Sequence, residues 1–300
     1  SKITIMYDFD VNMIINFIKV KFYLKNLTKK PFKIFLIFNL KILLEKIKDI
    51  FNIQVNFKDL SYKYQAKVFF ESIKKINQFN KKFKKQKKIQ LMSSNNLSDL
   101  RSRYINLEDY KYFENLFEKN GSDKKINHLC ALYYEICLEN NIHNFLEIGL
   151  GTNNIRIRSN MGLNGKPGAS LKAFDQYLKH SKIFGADIDK EILFQSERIK
   201  TFYVDQLDIL SIISLKEKIP KLDLIIDDGL HQPDANLNVI LELLDHLNEN
   251  GIMVIEDIED TDEFRNIFEI ITNQINISDK LEAEIIYGHG LTLVIKKLYK

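Results

Sequence analysis

Residues 144–152 read NFLEIGLGT, and the character of the whole chain follows from them. The short apolar run Phe145, Leu146 and Ile148 leads into Gly149-Leu150-Gly151, with the acid Glu147 just ahead of the turn. This is the pattern of the first strand of an open α/β sheet, followed by the tight turn where a nucleotide-like cofactor docks. Glycine lets the backbone come close to such a ligand. The third glycine of the dinucleotide fingerprint is missing: Asn153 and Asn154 follow Thr152, and a polar loop runs on to Gly168. A pyrophosphate wants a helix N-terminus at this point. S-adenosylmethionine carries no phosphate, and its ammonium and sulfonium charges favour a nearby acid. The turn therefore reads as an S-adenosylmethionine site, with Glu147, Gly149 and Gly151 as cofactor-binding residues.

Outward from the turn, strands and helices alternate. Residues 182–186 form a second strand ending in Asp187-Ile188-Asp189, and residues 201–204 a third, closed by Asp205-Gln206-Leu207-Asp208. Residues 222–226 form a fourth, ending in Asp227-Asp228-Gly229-Leu230-His231, and residues 251–255 a fifth, ending in Glu256-Asp257. Helices are predicted from Gly168 to about His180, over 235–248 and over 263–276, and residues 284–287 and 291–295 pair as an antiparallel hairpin. Upstream, residues 107–119 read as a helix. Gly121-Ser122-Asp123-Lys124 opens another that runs to about Asn140, capped by Ser122 or Asp123. His128, Tyr133 and Tyr134 on that helix read as packing residues. The fold class is α/β, a doubly wound Rossmann-like sheet with one reversed strand and a terminal hairpin, occupying residues 100–300. The polar loop 153–166 is long for a compact domain and reads as a lid or binding loop.

The net charge of +4 hides an asymmetry. Residues 1–90 hold 21 Lys, no Arg and 6 acids, a net of +15, whereas the other 23 basic and 34 acidic residues give −11. Residues 1–95 are read as a basic, mainly helical accessory segment, with a Lys-rich run at 81–88 and a boundary in the polar stretch 93–99. A solvated helix end is the plainest reading of that run. Contact with a membrane surface or an acidic partner comes next. Nucleic acid is not expected, because arginine dominates base and phosphate recognition and the segment has none. Cys130 and Cys137 lie about 10 Å apart along one helix, too far for a disulfide, and suit a reducing cytoplasm. No secretory signal opens the sequence, and its apolar runs fall short of a membrane span.

Carboxylates crowd the carboxyl ends of successive strands: Glu147, Asp187, Asp205, Asp227, Asp228, Glu256 and Asp257. Ligands bind at that edge of an open α/β sheet. Unpaired acids so close together repel and raise each other's pKa values, so a cation belongs among them. Asp187, at the tip of the second strand, is placed for ribose hydroxyls, and Asp189 for capping the next helix. Asp205 and Gln206 end the third strand near the adenine. Asp228, Glu256 and Asp257 suggest a hard divalent ion with oxygen ligands, Mg²⁺. Acidic helix caps are the alternative. His231, three residues past Asp228, suits a general base.

Taken in order, Gly121-Ser-Asp-Lys124, His128, FLEIGLG, Gly168-Ala-Ser-Leu171, FGADID, Asp205-Gln206, IIDDG with His231, and VIED ending at Asp257 resemble metal-dependent sugar O-methyltransferases of the macrolide-sugar type. The resemblance spans about residues 121–260. It implies Mg²⁺ on Asp228, Glu256 and Asp257, His231 as base, and S-adenosylmethionine on Glu147 and Asp187, with Asp205, Gln206 and Asp227 in the cofactor region. The expected acceptor is a sugar hydroxyl, on a nucleotide-sugar or glycan of a surface (capsular) polysaccharide pathway, handled by a homo-oligomer. The loop 153–166 departs from the family pattern. A catechol-like diol acceptor and a non-catalytic scaffold stay open as alternatives.

Overall fold

The computed structural model describes Lys75 and residues 96–276, 278–288 and 290–298. The accessory segment expected over residues 1–95 lies outside the described residues, apart from Lys75. The strands are β1 (Asn144–Ile148), β2 (Lys182–Asp187), β3 (Ile199–Tyr203), β4 (Leu222–Asp227), β5 (Leu247–Ile258), β6 (Leu281–Tyr287) and β7 (Leu291–Lys297). They form one sheet in the order β3-β2-β1-β4-β5-β7-β6. The first five are parallel, and β7 runs antiparallel between β5 and β6. The sheet is thus the doubly wound one expected, with the reversed strand and the terminal hairpin. The chain's order reverses between β1 and β4, which is where such sheets bind ligands.

The helices are α1 (Leu97–Tyr104), α2 (Glu108–Asn120), α3 (Leu129–Glu139), α4 (Ala169–Tyr177), α5 (Ile209–Lys216), α6 (Pro233–Leu243) and α7 (Asp262–Ile275). Strand residues alternate between two cores, as the two-residue period demands. Leu146, Ile148, Ile225, Met253 and Ile255 pack with α5, α6 and α7. Phe145, Leu224, Ile226, Ile252 and Val254 pack with α1 to α4. That second core is rich in rings: Phe113 and Phe117 of α2 meet Phe174 of α4 at 6.1 and 5.1 Å between centroids. Among the described residues, no helix is long and apolar enough to cross a membrane.

Several elements depart from the sequence reading: α1 starts at Leu97, inside the stretch 93–99 read as a boundary loop, and α5 is a helix absent from that reading. The helix expected from Ser122 to Asn140 is split: a 3₁₀ turn spans Asp123–Lys125, His128 takes a left-handed φ of 62°, and α3 starts at Leu129. The helix expected to reach residue 248 gives way at Leu243 to a 3₁₀ turn, and Leu247 already belongs to β5. Leu243, Leu244 and Leu247 are buried across this switch, so their spacing does not mark it. Cys130 and Cys137 share α3 and are both free thiols.

Candidate active site

The two-residue period explains where the acids go. Glu147 pairs with Ile226 in register, and Ile226 with Val254. Glu147 therefore shares the face of Phe145, Asp228 that of Ile226, and Glu256 that of Val254, all toward α1–α4. Asp227 turns to the opposite face. Hence the two neighbouring aspartates have separate surroundings.

On the α1–α4 face a lysine meets the acids. Helix α2 ends on Gly121, whose φ of 87° lets its N–H donate to the carbonyls of Phe117 and Glu118. Ser122 then caps the 3₁₀ turn by accepting from the Lys124 N–H, and the turn sends Lys124 inward. Its side chain is 2% exposed. Nζ lies 2.7 Å from Asp228 Oδ2, 2.7 and 2.8 Å from the two oxygens of Glu256, and 3.3 Å from Glu147 Oε1. Tyr133 Oη also donates to Glu256 Oε1. Burial opposes the lysine's charge, yet Asp228, Glu256 and Glu147 outweigh it and hold its pKa well above the ordinary value. Burial pushes the Glu147 carboxyl up to about 7 despite Lys124.

Asp228, His231 and Asp257 form the outer part of the cluster. Their ligand atoms lie within 4.8 Å of one another, as do those of Glu147, Asp228 and Glu256. His231 and Asp257 both hold left-handed backbone, at φ 54° and 48°, which is costly for residues with a Cβ and common at functional turns. His231 Nε2 is 4.0 Å from Asp228 Oδ1, and its Nδ1 is buried with no hydrogen-bond partner. Burial, then the charge of Asp228, raises the Asp257 pKa.

These three residues and Lys124 line a cavity of about 520 Å³ together with the Gly149–Gly151 turn and Ser170. Loop 153–166 supplies much of the remaining wall, through Ser159, Asn160, Met161, Asn164, Gly165 and Lys166. The loop is tied down rather than splayed. Asn153 donates to the carbonyls of Gly162 and Gly165, and Ser159 Oγ donates to that of Leu230 beside His231. The wall it gives the cavity is mostly polar.

The remaining sequence candidates lie at neighbouring strand tips and are not among the residues lining this cavity. Asp187 accepts from the N–H groups of Leu150 and Asp189, at 2.7 and 2.8 Å, and so braces the glycine turn. Asp189 caps the short 3₁₀ turn at Lys190–Ile192 by accepting from the Glu191 N–H, as expected of it. Gln206 donates to Asp227 Oδ1 and accepts from the Leu230 N–H, while Asn236 donates to Asp227 Oδ2. Asp205 Oδ1 accepts from the Leu207 N–H. Gln206 and Asp227 thus fasten the turn that carries Gly229 and His231.

The residues fit the two groups that their chemistry implies. A divalent ion wants hard oxygen ligands, and here three carboxylates pair with one ammonium while a fourth, Asp257, lies beside Asp228. Of Glu256, Oε1 accepts from both Lys124 and Tyr133 while Oε2 accepts from Lys124 alone, so the carboxylate keeps acceptor capacity. For the cofactor, the Gly149–Gly151 turn lines the cavity, and an ideal Cβ on Gly149 would sit 2.0 Å from the Asp228 carbonyl oxygen, so glycine lets that turn pack directly against the tip of β4. Sequence reasoning missed Lys124 and Tyr133 as members of the cluster. The signal for Lys124 was in view, since an excess of acids demands a cation; nothing local told which of many lysines would answer.

No protein-family model matches the chain. The 8-demethyl-8-alpha-L-rhamnosyl tetracenomycin-C 2'-O-methyltransferase of Streptomyces olivaceus is 30% identical over 92 residues, 31% of this chain and 24% of that protein. Demethylmacrocin O-methyltransferase of Streptomyces fradiae is 30% identical over 91 residues, 30% of this chain and 23% of that protein. The chain therefore spans about a quarter of the length of the curated relatives it matches. Among solved structures, MycE methyltransferase from the mycinamycin biosynthetic pathway, in complex with Mg and SAH, covers 69% of this chain and 56% of its own. Its TM-score is 0.47, at 21% identity. The sheet is a doubly wound, Rossmann-like one with a terminal antiparallel hairpin, and over 91 to 92 residues the chain is similar to the two Streptomyces O-methyltransferases.

Proposed function

We propose that this chain is an S-adenosylmethionine- and Mg²⁺-dependent O-methyltransferase acting on a sugar hydroxyl. One observation carries the reading: Asp228, His231 and Asp257 stand on the wall of the same cavity as the Gly149–Gly151 turn. Cofactor, cation and acceptor would meet there.

S-adenosylmethionine would lie against Gly149 and Gly151, with Glu147 beneath and Asp187 holding the turn. Asp228, Glu256 and Asp257 would hold the ion, which when bound lowers the pKa of an acceptor hydroxyl and orients it. His231 supplies the proton acceptor: its ring reaches the cavity on a turn locked by Gln206. S-adenosylmethionine held against Gly149 and Gly151 would supply the methyl group that the deprotonated hydroxyl accepts, with S-adenosylhomocysteine as the product. The loop 153–166 closes the far side with Ser159, Asn160 and Asn164. Hydroxyl-rich acceptors suit these donors and acceptors better than a flat aromatic diol, which needs an apolar slot.

For the acceptor we favour a nucleotide-linked or glycan sugar of a surface (capsular) polysaccharide pathway, in the cytoplasm. Residues 1–90 are assigned to homo-oligomer assembly or an anionic surface on their charge alone. The deciding assay screens nucleotide-sugars and polysaccharide fragments for S-adenosylhomocysteine release, with and without EDTA. Release that EDTA abolishes and Mg²⁺ restores is expected. EDTA-resistant turnover would reject the metal, and turnover of catechols but not sugars would reject the acceptor.

A further inference from the structure

We propose that Lys124 is a tethered cation of the metal site: from the inner corner of the acid cluster it shares Asp228 and Glu256 with the divalent ion, biases that ion toward Asp257 and leaves it weakly held. This rests on the reading of Asp228, Glu256 and Asp257 as the ion's ligands.

The geometry divides the cluster in two. The inner corner, bounded by Glu147, Asp228 and Glu256, already contains an ammonium within 2.7 to 3.3 Å of all three carboxylates. Glu147 and Glu256 are 0% and 1% exposed, and neither lines the cavity. The outer corner, of Asp228, His231 and Asp257, opens to the cavity and has no lysine or arginine within ion-pair distance of Asp257 or His231 among the described residues. Asp228 belongs to both corners and divides its two oxygens: Oδ2 faces Lys124 and Oδ1 faces His231. Tyr133 fixes the third side of the inner corner through Glu256, its ring 5.8 Å from the ammonium. Lys124 therefore cannot swing out without abandoning three acids in a buried place, which is strongly unfavourable.

Charge decides what this does. Four carboxylates are matched by one lysine, one divalent ion and one S-adenosylmethionine of net charge +1. With the lysine in place, the ion alone does not neutralise the cluster, and the cofactor completes it. Without the lysine, the same acids attract a divalent ion more strongly and leave a further positive charge to be found. A positive charge beside an ion's ligands weakens its hold through simple repulsion, and burial amplifies the effect. Lys124 acts on the ion through Asp228 and Glu256 and touches no reacting atom, so it is a positioning residue.

The test titrates Mn²⁺ into metal-free full-length protein at mildly alkaline pH, with free Mn²⁺ read by electron paramagnetic resonance. Lys124→Met should bind Mn²⁺ at least ~10-fold more tightly than wild type. Glu147→Gln, which removes a negative charge from the same corner, should bind it more weakly. The double variant should return to within about 3-fold of wild type, because the two changes offset each other's charge. Thermal unfolding identifies any variant that has not folded; should Lys124→Met be lost in this way, Glu147→Gln decides, and unchanged or tighter binding by it overturns the proposal. Folded Lys124→Met with unchanged or weaker Mn²⁺ binding also overturns it. Failure of the metal reading is distinct: wild type and Lys124→Met would then both bind no Mn²⁺ while wild type still bound S-adenosylhomocysteine.

Discussion

A methyl group at position 149 would strike the backbone of the turn that carries Asp228. An ideal Cβ there lies 2.0 Å from the Asp228 carbonyl oxygen and 2.4 Å from its carbonyl carbon, at a φ of +94°. Ordinary contact begins at 3.4 Å, so the tip of β4 must retreat by more than about 1 Å. Gly162 supplies the control: its φ is +70°, but nothing lies within 4 Å of its Cβ. Alanine at 162 meets only left-handed strain of about 1–2 kcal/mol, partly offset by about 0.4–1 kcal/mol through the unfolded chain. Alanine at 149 adds overpacking of about 1–3 kcal/mol against backbone that cannot rotate away. We expect Gly149→Ala to lose about 2–4 kcal/mol and Gly162→Ala about 1 kcal/mol or less, read from urea midpoints at constant slope. Because the displaced backbone carries Asp228, Gly149→Ala should also bind S-adenosylhomocysteine at least ~10-fold more weakly by calorimetry. Equal midpoints for the two variants, with wild-type binding by Gly149→Ala, would refute the argument.

Other consequences are as direct. His231→Ala should lower kcat by roughly 10²–10⁴-fold without rescue by excess Mg²⁺, and should leave Mn²⁺ affinity within about 3-fold; a tenfold loss of that affinity would make His231 a ligand alongside Asp228 and Asp257. Asp187→Ala frees the Leu150 N–H that braces the glycine turn and should weaken S-adenosylhomocysteine binding by at least ~10-fold, while tight NADH binding by the wild type would overturn the cofactor. Glu147 titrates at about 7 when folded against an ordinary 4.5, so between those values the folded protein holds the extra proton and loses stability as pH rises. The metal-free protein should therefore melt lower at pH 7 than at pH 5, and Glu147→Gln should flatten that decline; an equally steep decline in the variant would acquit Glu147. Deletion of residues 1–90, which carry +15, should reduce assembly or anionic-surface binding in a salt-sensitive way, and a truncated protein identical to wild type in both would remove that role.

Much of the site was legible because strand tips announce themselves. The glycine turn and the paired acids after apolar runs give both the strand ends and the chemistry gathered there, and α2 and α7 fall within a residue or so of their expected bounds. Helix α5 was not read at all. Its sequence, ILSIISLK, is apolar on nearly every side, and Leu210 is 73% exposed, so no periodicity marks it. The break at His128 was equally hidden, since no glycine or proline signals the left-handed residue.

By itself the sequence determined the sheet, the edge at which sheets of this kind bind ligands and the residue types that line it. Those depend on local patterns: a two-residue period, a glycine that must turn, an acid where a strand stops. Which acid faces which neighbour was decided only in the tertiary structure. Asp227 and Asp228 are adjacent in the chain, yet one is spent on Gln206 and Asn236 and the other on Lys124. Lys124 reaches its partners across 104 and 132 residues of chain. No local pattern encodes such a contact, because it exists only once α2, α3 and the sheet have packed and brought the Lys124 ammonium against the charge that the strands gather.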